Sequence, residues 1–403
     1  PGTYGLIPPT DSIKATGETR TIDGVEIVFQ VTPNTEAPAE MNFYLPAWKA
    51  LCLAENANGA MHNLLTPRGA LVRDARGWAD YLVEARRRWG GEADVLFTSH
   101  FWPRWGKAHI NDYLLRHAQA YAFVHNESVR LMNAGLNAVE IGEAIKLPEP
   151  LAKAWFNRPN YGSLKFNARA VYQRYLGAFD GDPANLDPLP RGDLAPRLVA
   201  QMGGPKKVLK AGRAAAARGD DRWAATLLST LVRAAPGTPG AKAALAGVYR
   251  QLAFRAETAP WRDFYLTGAQ ELEQGIKPTT QAAAAGIAAN LSVAMLLDSM
   301  SVRLVPERAI VPMTIAFEIP DAKERHLVTI GNGVMLHEQG VADAADATLV
   351  IPRRALLGLV GGAVRAPDLM MAGQLQVKGD PAALQRLMGL FQPPKPDFPL
   401  VAP

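Results

Sequence analysis

The chain has 403 residues, of which 48% are hydrophobic, with 43 basic side chains, 38 acidic ones and a single cysteine. The length allows two to four domains, and the net charge of +5 is interspersed rather than blocked, which argues against a nucleic-acid-binding tract and leaves attraction for small anions open. Cys52, alone in the apolar run ALCLAEN, excludes an intrachain disulfide and a cysteine-based zinc cluster. No run reaches the roughly 18–20 apolar residues of a membrane-crossing helix, so the chain reads as soluble. Pro1 opens onto GTYGLIPPT without a methionine or a signal-peptide pattern, and the expectation is that a longer amino terminus precedes it.

In chain order, residues 20–32 alternate apolar and polar side chains around Asp23-Gly24, the pattern of a β-hairpin with one buried face. EMNFYLPAWKALCLA over 40–54 is a second apolar segment, GALVRD reads as a short strand, and a helix is expected at about 76–89. ADVLFTSH, residues 93–100, is a β run ending in Ser99 and His100, where α/β enzymes keep chemistry. From Lys107 the apolar period becomes helical and continues to Gly135. Between about 140 and 275 helices follow one another, and the alanine-rich stretch around 206–255 resembles tetratricopeptide hairpins, a composition suited to partner contacts. After KPTT at 277–280 come a helix through AAAAGIAANLSVAMLLDSM, strands MTIAFEI, HLVTIGNGVMLHEQ and ATLVI, and a closing QLQVKGDPAALQRLMGLF, together an independent α+β domain.

Polar islands interrupt the apolar first third: Glu36 and Glu40 in PNTEAPAEM, Glu55, His62 and Arg68 in LAENANGAMHNLLTPRGA, and His100 in FTSHFWPRWG. A carboxylate next to ALCLA is expensive to desolvate unless positive charge meets it. Zinc accepts carboxylate and imidazole ligands, so Glu36, Glu55 and His100 make a partial shell, with ion-paired core or surface residues as the ordinary alternative. Arg68 after Pro67 is ordinarily a solvated turn residue, and His62 suits a supporting hydrogen bond better than direct ligation. His109, His117 and His125 recur along one helical stripe and read as ordinary helix-face residues.

The strings PNTEAPAEMNFYLPAWKAL, AENANGAMHNLLTPRGALVRD, SHFWPRWG and AVYQRYLGAFDGDPANL resemble the alkyl sulfatases of the metallo-β-lactamase superfamily. The resemblance implies a multidomain chain: the carboxyl-terminal portion of a metallo-β-lactamase αββα sandwich over 1–137, an all-α dimerisation domain of tetratricopeptide-like helix pairs over 138–278, and an α+β domain like sterol carrier protein type two over 279–403. It implies Glu36, Glu55 and His100 as ligands of a two-zinc site, with Glu55 bridging, and Asn63, Arg68 and Tyr113 as sulfate-binding residues. The family's HxHxDH motif, which carries the other ligands, is absent from these residues, so the chain alone is expected to be inactive. Phe166 stands where the family usually has a histidine that is a candidate proton donor, which leaves water or a residue such as Tyr4 to protonate the leaving group. Asn34 stands where glycine is usual, a change asparagine accommodates at positive φ. The implied activity is zinc-dependent hydrolysis of alkyl sulfates such as dodecyl sulfate to alcohol and inorganic sulfate, by a homodimer, with no nucleic-acid partner and a periplasmic or secreted location. The rival readings are a non-catalytic lipid-binding and oligomerisation module, and a related metallo-β-lactamase hydrolase acting on another ester.

Overall fold

The computed structural model describes residues 9–277, 291–340, 344–393 and 397–403. The chain divides into two compact units, Asp11–Gly275 with Pro399–Pro403, and Pro1–Thr10 with Ile276–Phe398. No described helix is long and apolar enough to cross a membrane.

The larger unit begins with a six-stranded sheet in sequential order: β1 (Thr19–Ile22), β2 (Val25–Val31), β3 (Met41–Leu45), β4 (Ala50–Cys52), β5 (Val95–Phe97) and β6 (Arg104–Trp105). The first hairpin pairs Ile22 with Val25 across Asp23 (φ 49°) and Gly24 (φ 79°), the doubly left-handed turn that the Asp-Gly pair favours. Neighbouring strands run antiparallel except β4 and β5, which are parallel and joined through helix α1 (Ala75–Trp89). Helix α2 (Lys107–Asn133) spans 27 residues and is followed by Gly135 at φ 88°. Both helices pack their apolar faces, including Trp78, Leu82, Ile110 and Leu114, on Tyr44, Leu51, Leu53 and Leu96 of the sheet. The segment GALVRD is not a strand. The Arg73 side chain turns inward, and Asp74 caps α1 by accepting from the N–H groups of Arg76 and Gly77, so local hydrogen bonds replace a ladder.

The helical region continues with α3 (Ala138–Ala144), α4 (Glu149–Ala152), α5 (Leu164–Leu176), α6 (Arg191–Gln201), α7 (Pro205–Ala217), α8 (Asp221–Ala234), α9 (Ala241–Arg255) and α10 (Ala259–Gln274). Helices α7 to α10 stack as successive antiparallel pairs around Leu227, Leu228, Leu231 and Leu245. The last residues return to this stack: the N–H groups of Leu400, Val401 and Ala402 all donate to the Glu271 carboxylate, at 2.8, 3.0 and 2.7 Å.

The smaller unit contains a five-stranded sheet in the order β11-β10-β7-β8-β9, from β7 (Met313–Ile319), β8 (Glu324–Gly331), β9 (Val334–Gln339), β10 (Ala347–Val350) and β11 (Gln376–Gly379). Asn332 (φ 53°) and Gly333 (φ 80°) form the β8–β9 turn. Helices Val293–Ser301, Arg353–Val360 and Ala382–Gly389 bury Leu296, Leu297, Leu356 and Leu387 in the same core as Ile315, Phe317 and Val328. Much of the helix expected through AAAAGIAANL lies outside the described residues.

Burial raises the Glu271 carboxyl, but the three converging N–H groups outweigh it and hold the group below its ordinary range. The tail attachment is therefore intact above that range and weakens as pH falls through the depressed value. Glu271→Gln removes the charge and should release the tail, at a cost of about 1.5–3 kcal/mol, measured as faster hydrogen exchange at Leu400–Ala402.

Candidate functional site

Parallel pairing of β4 and β5 sets the site. Cys52 is in register with Phe97, Leu53 N donates to Phe97 O at 3.1 Å, and Ser99 N donates to Ala54 O at 2.9 Å. Glu55 and His100, each three residues past the registered pair, thus emerge side by side at the carboxyl ends of adjacent parallel strands. His100 Nε2 lies 2.9 Å from Glu55 Oε1, while His62 Nε2 lies 2.6 Å from Glu55 Oε2. Ala54 (φ 45°) and Phe101 (φ 69°) flank this pair in left-handed backbone, a strained conformation for residues with a Cβ and one that clusters at functional sites.

His62 belongs to a loop over 54–64 whose backbone is satisfied by side chains and strands from elsewhere. Its N–H donates to Tyr121 Oη (3.2 Å), its carbonyl accepts from Asn167 Nδ2 (2.9 Å), and Asn167 Oδ1 accepts from Leu64 N (2.9 Å). Trp78 Nε1 donates to Asn56 O at 2.8 Å. The segment 158–162 pairs alongside: Met61 N donates to Arg158 O, and Gly162 N donates to Met61 O at 2.7 Å. A Cβ on Gly162 would sit 2.3 Å from the His62 carbonyl oxygen, so only glycine fits there.

Glu36 approaches from the turn after β2. Asn34 has φ 63°, as expected for asparagine at a position where glycine is usual, and its carbonyl accepts from Asp74 N at 2.8 Å. Ligand atoms of Glu36, Glu55 and His62 all lie within 4.8 Å of one another, a grouping able to hold a metal ion. A cavity of about 590 Å³ opens onto them, lined also by Asn58, Met61, Arg68, His100, Phe101, Asn160 and Tyr161. Arg68 Nη2 donates to Tyr161 Oη at 3.1 Å across this cavity. Asn58 Oδ1 and Asn63 Nδ2 are buried without a partner among the described residues, polar atoms that a bound group would satisfy.

The structure thus brings Glu36, Glu55, His100 and Arg68 to one cavity and adds His62, expected only as a supporting residue. Asn63 is buried beside the cavity rather than lining it. Tyr113 is not in the cavity. It is 1% exposed, and its hydroxyl lies 2.7 and 2.8 Å from the carbonyl oxygens of Ala57 and Asn58, which it serves as donor. Tyr4 lies outside the described residues. Phe166 packs edge-to-face on Trp261 with ring centroids 6.1 Å apart. Of the three helix histidines, His109 is exposed and His125 half-buried, whereas His117 is buried among Tyr113 and Phe156 and burial lowers it to about 3. Tyr161, Asn160, Phe101 and Asn167 carry no motif of their own; the NYG turn containing Asn160 and Tyr161 was the available signal.

Hydrogen bonding to His62, against opposing burial, and then to His100 brings Glu55 down to about 2. Glu40 moves the other way, to about 7, through burial first and the neighbouring Glu36 charge second. In metal-free protein, Glu55 therefore contributes stability above pH about 4.5 that is lost as pH falls toward 2. Glu40 opposes folding increasingly as pH rises from 4.5 to about 7, and in full above that. Glu40→Gln should accordingly raise the thermal midpoint of metal-free protein at pH 8 and leave it nearly unchanged at pH 5, by calorimetry. Asn167→Ala, which strands a buried N–H and a buried C=O, should destabilise the larger unit by about 2–4 kcal/mol in urea unfolding.

Residues 137–275 match the family described as alkyl sulfatase dimerisation, and residues 281–403 match alkyl sulfatase C-terminal. The chain is 40% identical over 404 residues to an (R)-specific secondary-alkylsulfatase from Pseudomonas sp., covering all of this chain and 61% of that protein. It is 32% identical to a linear primary-alkylsulfatase from Pseudomonas sp. (strain ATCC 19151), covering 97% of this chain and 75% of the relative. The solved structure of a stereoselective inverting sec-alkylsulfatase from Pseudomonas sp. superposes with a TM-score of 0.94 at 40% identity, over 99% of this chain and 63% of that one. The chain thus spans about three-fifths of the length of several of the relatives it matches. Match and coverage together place the chain in the alkyl sulfatase family.

Proposed function

We propose that this chain forms part of a zinc-dependent alkyl sulfatase that hydrolyses alkyl sulfate esters to an alcohol and inorganic sulfate. The observation that carries the proposal is that Arg68 lines the same cavity as the Glu36, Glu55, His62 and His100 cluster. A guanidinium supplies the planar donor fork that matches a sulfate group, and the carboxylate and imidazole atoms supply the donor types that zinc takes. Glu36, Glu55 and His100 would hold the metal, with His62 supporting Glu55 from behind. The bound zinc pair supplies Lewis acidity and a water acidic enough to ionise near neutrality.

The chain's own residues do the remaining work. Arg68, braced by the Tyr161 hydroxyl, neutralises and orients the sulfate, and Nδ2 of Asn63, which has no hydrogen-bond partner among the described residues, is a donor available to a sulfate oxygen after a small side-chain shift. Met61, Ala60 and Phe101 give the cavity an apolar side suited to the first carbons of an alkyl chain. Phe166 offers no proton, so the departing alkoxide takes one from water or from a hydroxyl such as that of Tyr4. Three ligands cannot complete two four-coordinate sites, and the remaining ligands must come from residues other than these 403; without them the chain is inactive. By the same resemblance the first part of the chain is a portion of a metallo-β-lactamase αββα sandwich, the helical region joins two copies in a homodimer, and the smaller unit is related to sterol carrier protein type two.

The test is release of inorganic sulfate from dodecyl sulfate by the complete polypeptide, with dodecyl phosphate as the competing substrate and a chelator as control. Sulfate release that is lost on chelation and restored by zinc supports the reading; preference for the phosphate ester overturns it. Arg68→Ala should lower kcat/KM for dodecyl sulfate by about 100-fold or more with zinc content unchanged.

A further inference from the structure

The ion pairs of the site contain one cation that is nearly fully enclosed. Arg73, 7% exposed, stands just before the cap of α1, yet its guanidinium reaches two other segments, the turn that carries Glu36 and the loop that carries His62 and Asn63. Nη2 donates to Glu36 Oε1 and Nε to the Glu36 carbonyl, both at 2.7 Å. Nη1 donates to the Asn63 carbonyl at 2.7 Å and stands 3.4 Å from His62 Nδ1. The backbone of Arg73 is itself pinned, its N–H donating to Leu64 O at 2.9 Å.

We propose that Arg73 is the positioning residue of the cavity, orienting both carboxylates that face it, Glu36 directly and Glu55 through His62. Two bonds to one residue fix the Glu36 side chain against its own backbone and occupy Oε1. Oε2 is left without a hydrogen-bond partner among the described residues, free for a ligand. Toward His62, Arg73 acts through the Asn63 carbonyl, which accepts from Nη1 at 2.7 Å and lies 3.1 Å from His62 Nδ1, so the ring is held with Nε2 2.6 Å from Glu55 Oε2. That bond occupies one Glu55 oxygen and turns the other toward His100. A lysine could not replace this arrangement, because a point charge on a flexible stem cannot donate along three fixed directions. Arg73 touches no substrate in this scheme. The cavity wall that receives the anion is formed by Arg68, whose guanidinium is engaged by Tyr161 rather than by a carboxylate, so the two arginines divide the work of orientation and anion binding.

The inference rests on the zinc reading above, and the experiment separates the two. Zinc affinity of the complete polypeptide is measured by competition with a chromophoric chelator for wild type, Arg73→Met, Arg73→Lys, Glu36→Gln and the double variant Glu36→Gln/Arg73→Met. Supports of this kind are typically worth about 10–100-fold in metal affinity. Arg73→Met should therefore weaken zinc binding by about that factor, and Arg73→Lys, which keeps the buried charge if the methionine variant does not fold, should still weaken it by about tenfold. In the Glu36→Gln background the Arg73→Met loss should shrink to the part carried by His62 and Glu55, so the two losses fall short of additivity. Equal affinity in wild type and both single Arg73 variants, or fully additive losses in the double variant, overturns the positioning role while leaving the zinc reading standing. A wild type that binds no zinc overturns both.

Discussion

The site depends on a constraint of the backbone: the loop over 56–64 is irregular yet buried, so its peptide groups cannot turn to water and must find partners in the protein. Three helices supply several of them. Trp78 of α1 takes the Asn56 carbonyl, Tyr113 and Tyr121 of α2 take the Ala57, Asn58 and His62 groups, and Asn167 of α5 takes His62 and Leu64. Glu55 sits at the entrance of that loop and His62 within it, so the helical region following the sheet is part of what holds the cluster in place. Loss of any one of these partners strands a buried polar group, and the effect reaches the carboxylates through a chain of short contacts.

The same enclosure governs the charges. The carboxylates of Glu36 and Glu55 lie close enough to Glu40 to raise it. Arg73 pairs with Glu36, and His62 with His100 pairs with Glu55, whereas Glu40 forms no ion pair among the described residues. Glu40 is left to hold a proton up to about pH 7. A divalent cation bound at Glu36 and Glu55 would relieve that repulsion, so metal and proton compete for the same negative charge. Across the cavity Arg68 is engaged by a neutral phenol rather than a carboxylate, which leaves its charge available to an anion.

Much of this organisation was legible in the chain itself, and the parts that were not share a cause. Asp23-Gly24 and Asn332-Gly333 announce their turns because the backbone conformation is dictated locally. The helices from α2 to α10 follow from the apolar period. Glu55 and His100 could be flagged because each ends a short apolar strand. Arg73 could not, since every group it holds is at least nine positions away and nothing in GALVRD marks an inward-facing arginine; the same segment was misread as a strand. Tyr113 is the opposite case. Its place in the family resemblance suggested sulfate binding, but its hydroxyl serves two loop carbonyls, a role only the folded loop makes visible. His62 was weighed as support for the site, and its distance to Glu55 is that of a hydrogen bond.

The attachment of the tail to Glu271 has a consequence for modularity. The chain leaves α10 at Gly275, passes through the smaller unit, and returns at Leu400–Ala402 to a residue one helical turn earlier. Four residues of helix span about 6 Å, so exit and re-entry are near neighbours on a single helix. Insertions whose ends lie this close can be removed or exchanged with little disturbance to the host. The segment Ile276–Phe398 is in this respect a cassette, and a short glycine-rich bridge from Gly275 to Pro399 would close the gap it leaves.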